Sequence, residues 1–355
     1  MFAFWARMIP KSRCAGYYAP DNPSLVRQGD NSLRVILANP RGFCAGVNMA
    51  IDALDHALKL FGAPVYVYHE IVHNRHVVAG FRQKGAIFVE AIEDVPVGAT
   101  LVFSAHGISP EVREAAAARQ LRVVDATCPL VTKVHSEAAR FARHGHTILL
   151  IGHAGHDEIV GTMGEAPEQI QLVESAEGVD DVVIPEGSSI AYLSQTTLSV
   201  DDASRVVGRL RDRFPNIVAP PSEDICYATQ NRQEAVRQLA SEADVVLVIG
   251  SQNSSNSARL AEIARDMGVP AYLLDSADEI NDGWFEGVDT VAITAGASAP
   301  EELVQRCLER IQHDYGATIE ERTVRTEDMH FQLPVDLRRA MAAANDDLAQ
   351  RDAAD

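Results

Sequence analysis

Cys44, Cys128 and Cys226 stand at comparable intervals along the chain, and each follows a short apolar run and precedes a helix-like pattern. The runs are 33–38, 121–124 and, a little further from its cysteine, 216–219. Thiolates are soft ligands for zinc and for iron-sulfur clusters, so three in repeated positions point to a metal site at the centre of a threefold repeat. A cysteine met singly reads as a small buried hydrophobe. Cys307 is that case, because with Leu303, Val304, Leu308 and Ile311 it falls on one apolar helix face. Zinc with a histidine as fourth ligand and an iron-sulfur cluster are both open to the other three. Structural zinc usually takes closely spaced cysteine pairs, which this chain lacks, and ligands this far apart suit the larger 4Fe-4S cluster. Three ligands for four irons would leave one iron free to act as a Lewis acid on a substrate oxygen, with the cluster supplying electrons.

The polar loops after neighbouring strand-like runs carry the remaining reactive side chains. His73 and His106 come from the first repeat, His156, Glu158 and Thr196 from the second, and Ser254, Ser255, Asn256 and Ser298 from the third. Taken one at a time, a serine or asparagine there is a helix N-cap, and a histidine is a packed or capping residue. Taken as a set, hydroxyls, amides and imidazoles at helix N-termini make an anion site, because free backbone N–H groups and the helix dipole both favour negative charge. Phosphate or diphosphate suits it. Arg75 is the only basic residue in these loops and no P-loop sequence is present, so the anion would be held by neutral donors and protonated histidines. Glu158 is a carboxylate beside an expected anion and an anionic cluster, which makes it a candidate general acid. Its plainer reading is an acidic first-turn residue favoured by the helix dipole.

Side chains so far apart meet only if the elements beneath them end together. Short apolar runs at 65–68, 147–151 and 245–249, then 86–89, 170–173 and 271–274, then 100–103, 190–193 and 290–293 alternate with helical patterns such as Val47, Ile51, Leu54 and Leu58. Strands alternating with helices make parallel α/β units, in which ligands bind beyond the carboxyl ends of the strands. The expected fold is α/β, with three similar units of mainly parallel sheets arranged pseudo-threefold around a central iron-sulfur cluster. The expected division is a loose arm at 1–32, units at 33–127, 128–225 and 226–313, a segment at 314–334 packing back on the core, and a flexible tail at 335–355.

Composition supports a globular chain, with 46% hydrophobic and 23% charged residues in 355. A balance of 31 basic against 50 acidic residues, net −19, leaves no electrostatic footprint for nucleic acid or an anionic membrane. Five cysteines in this length are no disulfide scaffold and fit a reducing compartment. Cys14 lies in the arm and is given no role. The apolar run at 1–9 is too short for a signal peptide and no run is long enough to span a membrane, so cytoplasmic localisation is expected.

Several stretches then carry a resemblance. They are Asn39-Pro40-Arg41-Gly42-Phe43-Cys44-Ala45-Gly46-Val47, His69-Glu70-Ile71-Val72-His73-Asn74, Ser104-Ala105-His106-Gly107 and Asp125-Ala126-Thr127-Cys128-Pro129. Further on come Gly155-His156-Asp157-Glu158 with Gly161-Thr162-Met163-Gly164, Ser194-Gln195-Thr196-Thr197, Asp224-Ile225-Cys226-Tyr227-Ala228-Thr229 and Asn253-Ser254-Ser255-Asn256-Ser257. On these motifs the chain resembles the 4-hydroxy-3-methylbut-2-enyl diphosphate reductase family, IspH or LytB, over about residues 33–334. The resemblance implies reductive dehydroxylation of the allylic diphosphate to isopentenyl and dimethylallyl diphosphates, the last step of the methylerythritol phosphate route. It implies a 4Fe-4S cluster on Cys44, Cys128 and Cys226, and a diphosphate pocket of His73, His106, His156, Ser254, Ser255, Asn256 and Ser298. Glu158 would deliver protons, Thr196 would order the hydroxyl and water network, and an external ferredoxin- or flavodoxin-type protein would supply electrons. Asp157 stands where the family commonly has proline. The alternatives kept beside this are a non-redox 4Fe-4S hydro-lyase and a non-catalytic metal or redox sensor.

Overall fold

The computed structural model describes residues 32–352, so the expected arm, apart from its last residue, and Cys14 lie outside the described residues. The first stretch runs β1 (Arg34–Asn39), α1 (Ala45–Phe61), β2 (Val65–Tyr68), α2 (Arg75–Gln83), β3 (Ala86–Val89), β4 (Thr100–Phe103), α3 (Pro110–Ala118) and β5 (Arg122–Asp125). The second runs α4 (Pro129–Arg143), β6 (His146–Ile151), α5 (Asp157–Gly164), β7 (Ile170–Val173), β8 (Ser189–Ser194) and α6 (Val200–Arg213). The third runs α7 (Tyr227–Ala240), β9 (Val245–Ile249), α8 (Ser255–Asp266), β10 (Ala271–Leu274), β11 (Thr290–Ala295), α9 (Glu301–Tyr315), β12 (Thr318–Thr323) and α10 (Val335–Asp352).

Three parallel sheets result, in the orders β3-β2-β4-β5, β7-β6-β8 and β10-β9-β11-β1-β12. Strand alternation explains how the largest is covered on both faces. Val35 and Leu37 of β1 pack with Leu303, Val304, Cys307 and Ile311 of α9, whereas Ile36 and Ala38 pack with Ala235 and Leu239 of α7 and Leu260 of α8. Cys307 is therefore core, as its helical spacing indicates.

The strand ahead of each cysteine is hydrogen-bonded into the sheet of the preceding stretch. Strand β5 closes the first sheet against β4. The run 216–219 contributes only a bridge between Val218 and Ala191 of β8, because Pro215, Pro220 and Pro221 flank it and lack ladder donors. By the same rule β1 belongs with the third sheet, between β11 and β12, rather than with the unit expected at 33–127. Strand β12 pairs only with β1, and its Glu320, Glu321 and Arg322 mark the charged edge that hid it from an apolar pattern.

Of the tail expected to be flexible at 335–355, the described residues Val335–Asp352 form α10, whose Leu337 is buried against the first unit's core beside Leu333 and Met341. Among the described residues no helix is long and apolar enough to cross a membrane.

Candidate active site

Each of the three cysteines is the N-cap of a helix: Cys44 of α1, Cys128 of α4 and Cys226 of α7. Their backbone N–H groups donate to equivalent carbonyls just beyond β11, β4 and β8, at Ala297 (3.2 Å), Ala105 (3.0 Å) and Thr196 (3.0 Å). The three thiols thus sit at the three seams between units, where strand ends converge, and line one cavity of about 750 Å³, a volume that includes the space at its open mouth. Gly46 keeps room between them, since a Cβ there would lie 2.6 Å from Cys128 Sγ and 3.9 Å from Cys44 Sγ. Burial, with the neighbouring sulfurs adding to it, pushes the Cys128 thiol up to about 12 and the Cys226 thiol up to about 11. Thiols this reluctant to ionise become thiolates when a cation compensates their charge. Soft donors, a glycine gap and the need for a compensating cation together suit a metal cluster held by three cysteines.

The same cavity is lined by every other residue singled out from the sequence: His73, His106, His156, Glu158, Thr196, Ser254, Ser255, Asn256 and Ser298. Glu158, in the first turn of α5, is only 2% exposed. Its Oε1 accepts the Thr196 N–H at 2.7 Å and its Oε2 accepts the Thr196 hydroxyl at 3.0 Å. Burial nevertheless outweighs these bonds and pushes the carboxyl up to about 7, with Asp224 adding repulsion. A group so tuned holds a proton near neutrality, and the Thr196 hydroxyl can accept that proton while giving up its own. The helix-dipole reading alone would have lowered this value.

The imidazoles gather together in the cavity wall. His73 and His106 stack with centroids 3.9 Å apart, and His156 meets His73 edge-on at 5.3 Å. His156 is also an N-cap: its Nδ1 accepts the Glu158 N–H at 3.2 Å, which leaves the ring proton on Nε2. Capping and ligand binding are compatible here, because the two ring nitrogens serve different partners. Burial, with His73 close by, lowers His156 to about 4, and burial likewise lowers His106 well below the ordinary histidine value. His106 and His156, expected to bind as cations, are thus biased toward neutral donors. Ser254 caps α8, its hydroxyl lies 3.3 Å from that of Ser298, and Ser298 donates to the His73 carbonyl at 2.9 Å. Asn256 Oδ1 holds the Ala297 N–H at 2.8 Å, which fixes the loop after β11.

Other residues enter that had no site role on the sequence alone. Asp157 bonds His69 Nδ1 at 2.8 Å and turns its second oxygen to within 3.8 Å of His106 Nδ1 and 4.0 Å of His73 Nε2. The Tyr227 hydroxyl accepts the Ala45 N–H at 3.1 Å, and the Thr229 N–H donates to Cys226 Sγ at 3.4 Å. Both follow Cys226 within its motif, so proximity to a ligand was the available signal. Phe331 lines the cavity from the C-terminal segment and has no signal in its neighbours.

Fold and site together define a three-sheet α/β enzyme whose cavity joins three thiols to a rim of histidine, serine and asparagine side chains at helix N-termini. The family model described as LytB protein matches residues 35–312, and the chain belongs to that family. It is 59% identical to the 4-hydroxy-3-methylbut-2-enyl diphosphate reductase of Rhodopirellula baltica, over 86% of this chain and 96% of that one. The enzyme of the same name from Mycolicibacterium paratuberculosis is 53% identical over 90% of this chain and 97% of its own. A solved structure of the (E)-1-hydroxy-2-methyl-but-2-enyl 4-diphosphate reductase from Plasmodium falciparum superimposes with a TM-score of 0.86 at 38% identity, covering 88% and 99% of the two chains.

Proposed function

We propose that the chain is a 4-hydroxy-3-methylbut-2-enyl diphosphate reductase, the terminal enzyme of the non-mevalonate route to isoprenoids. The observation that carries this is the meeting, in one cavity, of three thiols, a buried carboxyl poised near neutrality and a rim of imidazoles, hydroxyls and an amide at helix N-termini. The reaction consumes two electrons and two protons, breaks the allylic C–O bond, and releases water with isopentenyl or dimethylallyl diphosphate. Cys44, Cys128 and Cys226 would hold a 4Fe-4S cluster, one ligand from each of the stretches 33–127, 128–225 and 226–313. When bound, such a cluster supplies the electrons and, at its one iron without a cysteine, a Lewis acid.

The chain's own groups do the rest. His73, His106 and His156 donate ring N–H groups to the diphosphate, joined by Ser254, Ser255, Asn256 and Ser298 around the N-terminus of α8. Glu158 carries a proton and passes it through the Thr196 hydroxyl to the departing oxygen, so that water rather than hydroxide leaves. Apolar Val72 and Val131 in the cavity wall leave little competing water around the allylic carbons. A ferredoxin- or flavodoxin-type donor would deliver the electrons from outside.

The test is an anaerobic assay with the allylic diphosphate and an artificial reductant. Reconstituted protein should hold about four irons, and serine at Cys44, Cys128 or Cys226 should lower that content. Turnover without any reductant, or stoichiometric zinc in place of iron, would overturn the reading.

A further inference from the structure

Arg232 heads the largest fully buried side chains of the described residues, and burying a guanidinium is costly unless every charge is answered. On α7 its Nη1 donates to the Ala228 carbonyl at 3.0 Å and to Glu327 Oε1 at 2.9 Å, while Nη2 donates to the Gly42 carbonyl at 2.7 Å. Gly42 stands two residues before Cys44, and Ala228 two residues after Cys226. One rigid fork therefore holds the backbone beside two of the three thiols, from opposite sides of a seam between units. Gly42 has φ +66, and a Cβ there would lie 3.1 Å from the Ala299 carbonyl, so this loop has little freedom of its own to adjust.

The counter-charge comes from elsewhere in the chain. Glu327, its side chain 15% exposed, belongs to the strap that leaves β12 and crosses back toward α1. Asn231 donates to the same carboxylate at 3.0 Å, and Arg325 pairs with Glu234 of α7 at 2.8 Å. Beyond this anchor Phe331 forms part of the cavity wall and Leu333 docks on the first unit's core. Asn231, Arg232 and Glu327 are not among the residues that line the cavity.

We propose that Arg232 is a positioning residue for the thiols of Cys44 and Cys226, and that its pairing with Glu327 locks the C-terminal strap over that side of the cavity. The proposal rests on the three-cysteine reading of the metal site but makes a claim about the protein alone. Neither carbonyl held by this fork lies beside Cys128 in the chain, so loosening it discriminates among the three sulfurs.

The experiment labels the cluster-free, reduced protein with N-ethylmaleimide and reads each cysteine by peptide mass. Glu327→Gln keeps the side-chain shape and removes the charge; Cys44 and Cys226 should then label about tenfold faster, through local opening, while Cys128 keeps its rate. Glu327→Asp should recover part of the protection, and the reconstituted cluster of Glu327→Gln should bleach faster in air. Arg232→Lys cannot span both carbonyls and the carboxylate, and gives the same selective pattern should Glu327→Gln fold poorly. Unchanged labelling, or an equal rise at all three cysteines, overturns the proposal. Selective labelling in a protein that binds no iron upholds the positioning role and removes the cluster reading instead.

Discussion

Glutamine at Glu158 should stabilise the cluster-free protein at alkaline pH while it cripples turnover. Burial pushes this carboxyl from its ordinary 4.5 up to about 7, against the opposing bonds from Thr196. The folded chain therefore keeps a proton that the unfolded chain releases in that interval. Stability from this group is full below pH 4.5, falls as pH rises toward about 7, and is flat beyond. At about 1.4 kcal/mol per pKa unit, the interval is worth roughly 3 kcal/mol. Glutamine does not titrate, and its amide can still accept from the Thr196 N–H and donate to the Thr196 hydroxyl, so packing and hydrogen bonds survive. His156 and His106 contribute the opposite slope, because groups buried neutral lose stability as pH falls below the ordinary histidine value. They are common to both proteins and cancel in the difference between them. Unfolding midpoints of both proteins, measured from about pH 5 to about pH 8, should show glutamine gaining on glutamate by an amount near that roughly 3 kcal/mol. In the reconstituted enzyme the same change should cost about 10²- to 10⁴-fold in kcat. A difference flat across this range would mean that Glu158 titrates as an ordinary surface carboxylate, and the proton-donor assignment would fall with it.

Gly46→Ala places a methyl group 2.6 Å from Cys128 Sγ, and should reduce iron retention while leaving the far-ultraviolet circular dichroism unchanged; full iron content would show that the thiols have slack. Diphosphate binding should take up protons near neutral pH, mainly at His106, because the anion opposes the burial that keeps this ring neutral, whereas His156 would lose its N-cap bond on protonation. Calorimetry of inorganic diphosphate in two buffers of different ionisation heat reads that uptake, and binding should weaken as pH rises; equal heats in both buffers would refute it. Asp157→Asn removes the carboxylate oxygen 3.8 Å from His106 Nδ1 and should diminish the uptake.

Apolar runs bounded by turns were legible in the sequence, and 65–68, 86–89, 170–173, 245–249 and 271–274 are strands with those bounds. Their parallel pairing was implied by the intervening helices. Which sheet β1 joins was not, because its neighbours β11 and β12 lie at the other end of the chain and pairing over such a separation leaves no local trace. Polar elements were hidden for a different reason. Strand β12 and helix α10 take their order from contacts with the rest of the fold, and only Leu333, Leu337 and Met341 hint at the face that docks. The cysteines and the polar residues named for the cavity were recognisable by their repetition in loops; Phe331 was not, and neither were the roles of Asp157, Arg232 and Glu327, since their significance lies in partners from distant segments.

The equivalent N-caps of α2, α5 and α8 show how a repeated backbone can carry unlike chemistry. A cap needs only an acceptor for the first free N–H groups. Asn74 Oδ1 meets the His76 N–H at 3.0 Å, His156 Nδ1 meets the Glu158 N–H at 3.2 Å, and Ser254 Oγ meets the Ser257 N–H at 3.4 Å. Each residue satisfies the same structural demand with a different side chain. What differs is the remainder of the side chain, and only histidine keeps a second nitrogen free for the cavity. The thiols obey the opposite logic: all three seams present the same residue in the same backbone setting, because a shared centre requires the same donor from each side. Under the proposed function, metal binding would be the symmetric part of this protein and proton chemistry the asymmetric part, assigned to the second unit, where His156, Glu158 and Thr196 lie together.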